Sequence, residues 1–70
     1  MNTNLFRAKM AENGISVAAL SDELGLSHRS VYDRLNGKAV FSVKEIQHLK
    51  KIWNLSADDI NAIFFESAVN

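Results

Sequence analysis

Between residues 16 and 37 the apolar positions fall into two short helical stripes. Leu20 with Leu24 makes the first and Val31 with Leu35 the second, each at i,i+4 spacing with polar residues between. The helices they predict, residues 17–24 and 28–35, are separated only by Gly25, Leu26 and Ser27. Gly25 is suited to the left-handed conformation that ends a helix and turns the chain. Ser16 and Ser27 are good N-caps, since a serine oxygen accepts from an otherwise orphan amide of the first turn. Ser21, one turn before Gly25, is small enough to let a second helix cross close by.

The same reading extends along the rest of the chain. A first helix is predicted over residues 4–13, capped by Thr3 or Asn2, stopped at Gly14, and burying Phe6 and Met10 at i,i+4. Asn36 and Gly37 close the third helix, and residues 38–41 form a loop. Ser42 with Glu45 three residues on predicts a capping box, followed by a buried stripe of Ile46, Leu49, Ile52 and Trp53. Ser56 and Asp59 repeat that signal for a fifth helix over residues 57–65. Ile60, Ile63, Phe64 and Phe65 cannot all be buried by one face of so short a helix. One side, Ile60 with Ile63 or Phe64, is expected to close the core over Trp53. The tail then folds back over that core or meets a second chain. The expected fold class is all-α, a compact five-helix bundle forming a single domain over residues 1–70, without linker, repeat or low-complexity stretch.

Composition sharpens this picture by exclusion. A chain of 70 residues, 47% hydrophobic and without proline, suits a helical bundle whose core contributes only about 3–5 kcal/mol net. With no cysteine there is neither a disulfide nor a thiolate zinc site. No secretory signal and no membrane-length apolar run is present, so a cytoplasmic protein of a bacterial host is expected. No cofactor or metal is expected. The two histidines stand twenty residues apart, and no phosphate loop or paired-carboxylate motif appears, so catalysis is not expected either.

Charge adds the first functional hint. Eight basic and eight acidic residues cancel, yet every Lys and Arg lies within residues 7–51. From Ser27 to Lys51 six basic residues stand against Asp33 and Glu45, with His28 and His48 added. A local positive surface can bind phosphates while the molecule stays neutral. The third helix carries His28, Arg29, Ser30, Tyr32, Asp33 and Arg34 on its predicted outer faces. A polar, arginine-bearing helix set across a helical platform is how a helix-turn-helix presents side chains to the major groove.

On that reading Arg29 is the candidate base reader, because its planar fork can bond guanine N7 and O6 together. The plainer alternative is a surface arginine paired with Asp33 at i,i+4. Ser27, His28 and Ser30 share the exposed first turn and are candidates for base edges or phosphates. Asp33 repels phosphates unless it accepts from a cytosine amino group or orients Arg29, and Tyr32 is expected to pack at the helix edge. Lys38 and Lys44 are candidate phosphate ligands, with Arg34 beside them; simple solubility is the alternative for each lysine.

These residues resemble the lambda-repressor and Cro class of helix-turn-helix proteins, also called the Xre family, across roughly residues 4–65. The resemblance rests on Leu20, Ser21, Leu24, Gly25, Leu26 and Val31, with Asn36-Gly37 closing the third helix. The later K-A-V-F-S-V-K-E-I and I-F-F look like the short Cro-like proteins of phages of Gram-positive bacteria. The resemblance implies a five-helix lambda-repressor-like domain that binds operator DNA through its third helix as a homodimer, since one helix reads too few base pairs. Three positions depart from the pattern. Val17 stands where relatives carry a glutamine that touches a phosphate. Arg34 stands where an apolar residue is common. Met10 and Leu35 replace a buried arginine–glutamate pair, a swap expected to be neutral or stabilising.

Ile63, Phe64 and Phe65 are the candidate protein interface. Two functions follow from these features. One is a Cro- or repressor-like transcription regulator on double-stranded operator DNA. The alternative is an antirepressor on the same scaffold that binds and disables an opposing phage repressor. Neither reading calls for a membrane or a small-molecule ligand.

Overall fold

The computed structural model describes residues 1–65, whose regular elements are all helices, with no strand among them. The helices are α1 (Thr3–Glu12), α2 (Val17–Leu24), α3 (His28–Leu35), α4 (Val43–Ile52) and α5 (Ala57–Ile60). A single wider, π-helical turn (Asn61–Phe65) continues α5.

Each helix starts on a side-chain cap. Asn2, Ser16, Ser27, Ser42 and Ser56 each accept from the backbone amide three residues on, at 3.0–3.2 Å. For α4 and α5 the box closes in both directions, because Glu45 Oε1 accepts from the Ser42 amide and Asp59 Oδ2 from the Ser56 amide. Each such bond satisfies a donor that the helix itself leaves orphaned. The Asp59 carboxyl is held below the ordinary aspartate value, chiefly by the Ser56 backbone amide, then by the Ser56 side chain, with help from the charge of Lys9.

An apolar residue precedes every serine cap and another follows it four positions later. The pairs are Ile15 with Leu20, Leu26 with Val31, Phe41 with Ile46, and Leu55 with Ile60. All eight lie in the core or pack against it. This staple arrangement fixes the angle at which the chain enters each helix. It also brings Phe41 and Leu55, both in connecting segments, into the centre of the molecule.

Among the described residues the buried set is Phe6, Met10, Leu20, Val31, Leu35, Phe41, Leu49, Trp53, Leu55 and Ile63, with Ser21 as the buried polar residue. Ser21 donates its hydroxyl to the Ala18 carbonyl at 2.7 Å, so its burial leaves no unpaired donor. Rings dominate one side: Phe6 meets Phe41, Trp53 and Phe64 at centroid separations of 5.0, 5.3 and 6.0 Å. The amino-terminal end is tied across the fold. The Asn2 amide donates to the Ile63 carbonyl at 2.6 Å, and Thr3 Oγ1 donates to the Leu35 carbonyl at 3.3 Å.

Two expectations change, and a third, the loop, holds with an added detail. Ile52 is not part of the buried stripe but 36% exposed; at about 100° per residue it stands roughly a quarter turn from the line through Ile46, Leu49 and Trp53. The fifth helix is not α-helical through residue 65. It widens after Ile60, where the Ile63 carbonyl accepts from Asn2. The segment 38–41 is a loop in backbone only, since Phe41 is core. Residues 66–70, the tail expected to fold back or pair, lie outside the described residues. No helix among the described residues is long and apolar enough to cross a membrane.

Candidate nucleic-acid interface

The α2–α3 pair is built by three local features. Ser16 and Ser27 start the two helices, and Gly25 ends the first with φ +68° and ψ +30°. The Leu26 amide then donates back to the Ser21 carbonyl at 2.9 Å, closing the turn. A Cβ built on Gly25 would meet nothing within 4 Å, so the backbone angle rather than crowding is what calls for glycine. Leu20, Val31 and Leu35 lock the pair onto the core, and the opposite side of α3 is left to solvent.

That side carries Arg29 and Asp33. The Arg29 side chain is 87% exposed, and its Nε lies 3.9 Å from Asp33 Oδ2. A contact so long and so open to solvent is worth little and leaves the guanidinium free to turn outward. His28 is exposed on the same first turn, as is the cap residue Ser27. The Ser27 hydroxyl is engaged twice, accepting from the Ser30 amide at 3.1 Å and donating to Ser30 Oγ at 3.0 Å. Ser30 is therefore half-buried within the cap, not a free hydroxyl on the outer face. Tyr32 is exposed at the helix edge.

Lys38, in the connection between α3 and α4, and Lys44, just inside α4, are both exposed. Neither has an ion-pair partner among the described residues. The Lys38 amide is held by the Asp33 carbonyl at 2.8 Å, which fixes where its side chain leaves the backbone. Lys44 sits on the first turn of α4, where the helix dipole favours an anion.

Arg34 does not stand with them. The sequence places it on an outer face, whereas its side chain is only 16% exposed and pairs with Glu45, equally buried. Nε donates to Glu45 Oε1 at 3.2 Å, Nη2 to Oε2 at 3.5 Å, and Nη1 to the Ser30 carbonyl at 3.0 Å. The guanidinium carbon lies 5.7 Å from the centre of the Phe41 ring. Once Phe41 turns inward, it provides an apolar face on which the guanidinium can rest.

Among the interface candidates, Ile63 is withdrawn, being 1% exposed in the core. Phe64 is half-buried against Phe6 and Phe41. Phe65 alone of the three is open, at 65%. It borders two adjoining clefts that share Ile46: one of about 370 Å³ between α4 and α5, the other of about 350 Å³ reaching to Val40 and Arg34. Val40 and Val43 stand on their rims.

Val17, half-buried, packs against the core and offers no polar group there. Met10 and Leu35 are both buried as apolar neighbours of the same cluster. A second polar tie missing from the sequence reading joins α2 to α4, with Glu23 Oε1 and His48 Nε2 2.8 Å apart. No group of His, Cys, Asp or Glu among the described residues is placed to hold a metal ion. No family profile, curated protein or solved structure matches this chain.

Proposed function

We propose that this protein is a small Cro- or repressor-like transcription regulator of phage or prophage origin, with α2 and α3 serving as a helix-turn-helix. The observation that carries this reading is Arg29, fully presented on the side of α3 opposite the core. Around it, His28 on the first turn is placed to meet base edges, while Lys38 and Lys44 supply phosphate contacts that set register without reading sequence. The neutral net charge is compatible with this, because basic residues outnumber acidic ones six to two between residues 27 and 51. Occupation of an operator would then block polymerase sterically. The chain adds no chemistry of its own.

Phe65, with Val40 and Val43 beside it, supports pairing of two copies, so that two α3 helices reach half-sites about 34 Å apart. The same open apolar edge also favours a second reading, in which the protein docks on an opposing phage repressor and disables it. A mobility shift on duplex DNA taken from beside the protein's own gene, run over a salt series, separates the two. Operator binding weakens steeply with salt through counterion release, whereas an apolar protein interface barely responds. No shift at low salt, together with a stable complex with the neighbouring repressor, would decide for the second.

A further inference from the structure

One polar side chain among the described residues is engaged on every side, yet the DNA-binding reading leaves it without a role. Arg34 has all three guanidinium nitrogens engaged, two on Glu45 and one on the Ser30 carbonyl. Its cationic carbon rests over Phe41. With three of its five N–H donors bonded, its Nε–Nη2 edge committed to Glu45 and its side chain only 16% exposed, the guanidinium is held against the protein rather than turned outward to a phosphate. Glu45 is equally committed, because the Oε1 that accepts from Arg34 also accepts from the Ser42 amide at 2.9 Å and so caps α4.

We propose that the Arg34–Glu45 pair is a positioning device that sets the aim of α3 relative to the first turn of α4. This rests on the DNA-binding reading and deepens it. The bridge ends beside the residues that would touch DNA. On α3 it grips the carbonyl of Ser30, next in the chain to Arg29; on α4 it grips Glu45, next to Lys44. One ion pair therefore fixes the spacing between the candidate base reader and a candidate phosphate ligand. A planar fork that makes several directed bonds can do this, whereas a lysine ammonium on a flexible stem cannot. Arg34 is thus a positioning residue, not a DNA contact.

This assignment predicts effects opposite in sign to those of a simple charge. Removing the Glu45 carboxylate beside the phosphate-facing edge would, on charge alone, tighten DNA binding; loss of aim would weaken it at the selected site. If Arg34 touched a phosphate, Arg34→Lys would retain most of the affinity, and Arg34→Met would weaken all DNA alike and flatten the salt slope by about one.

The test uses a duplex that the full-length protein selects from a random pool and a scrambled duplex of the same composition. Affinities are measured by fluorescence anisotropy across a salt series, for folded protein as judged by circular dichroism. Arg34→Lys and Glu45→Gln should each lose about tenfold on the selected duplex, the scale of one lost base contact. Scrambled-duplex affinity and the salt slope should stay unchanged. In ¹⁵N spectra of the wild type, the Arg34 Nε–H signal should hold its position on DNA addition while that of Arg29 moves, a readout that needs no variant. Full affinity in Arg34→Lys, tighter binding in Glu45→Gln, or a shift of the Arg34 signal as large as that of Arg29 would each overturn the assignment while leaving DNA binding intact. A wild-type protein that selects no duplex would remove the DNA-binding reading and the assignment together.

Discussion

The ring of Phe6 in α1 lies stacked on that of Phe41, with centroids 5.0 Å apart and planes inclined by 23°. Phe41 belongs to the connection between α3 and α4, so this contact draws the start of α4 beneath α1. It also provides the surface on which Arg34 rests. A residue in an irregular segment thereby holds three elements together.

Phe41→Ala should consequently cost about 3–5 kcal/mol, as expected for deleting a buried ring. That is the order of the whole stability expected for so small a core. The variant should be largely unfolded by circular dichroism at room temperature, and Phe41→Leu folded with a lowered Tm. A wild-type Tm in Phe41→Ala would show that the ring is not part of the core.

At Gly25 the penalty should follow backbone conformation. A Cβ there meets nothing within 4 Å, but φ is +68°. Gly25→Val should destabilise by more than about 1 kcal/mol, and Gly25→Asn by clearly less, because asparagine tolerates the left-handed region. Urea midpoints for the two variants give the comparison. Equal losses would mean that crowding, not φ, sets the cost.

Acid should weaken the start of α5. The folded-state pKa of Asp59 is lowered by the Ser56 amide, so the native state favours the carboxylate more than the unfolded chain does. The stabilisation is therefore complete above the unfolded-state value, near pH 4, and is lost as pH falls through the lower folded value. Asp59→Asn removes this titration. The Tm advantage of the wild type over Asp59→Asn should hold at neutral pH and shrink below about pH 4. An advantage independent of pH would contradict the capping role of the charge.

Arg29→Ala should leave the Tm unchanged, since the side chain is 87% exposed. It should cost about 1–3 kcal/mol on a selected duplex and little on a scrambled one. Lys38→Ala should weaken both duplexes and reduce the salt slope by about one. Unchanged specific affinity in Arg29→Ala would remove that residue from the site.

Phe65 offers the test of assembly. If two copies pair through it, sedimentation at micromolar concentration should find the wild type dimeric and Phe65→Ser monomeric. A monomer in both, with no shift of DNA, would favour the repressor-binding alternative.

Residues a few positions apart were enough to write most of the helices. A cap oxygen and the amide it serves are three residues apart, and a glycine's φ is its own property, so Ser16, Ser27, Ser42, Ser56 and Gly25 mark boundaries that hold in the fold. The apolar residue before each serine, paired with another four positions after it, was equally present in the sequence and would have marked Phe41 and Leu55 as core. The candidate site was legible to the same depth: Arg29 lies on the side of α3 away from Val31 and Leu35, and Lys38 follows the Asn36-Gly37 stop, so both are left exposed. The fate of residues at the margins of a stripe was not local. Arg34 and Ile52 each flank a buried face, and which of them turns inward depends on what another element brings opposite. For Arg34 that was the Glu45 carboxylate and the Phe41 ring. Ile52, a quarter turn off its stripe, stayed partly exposed. Burial of a flanking side chain is decided by its partner across the fold, and that partner exists only once the helices have packed.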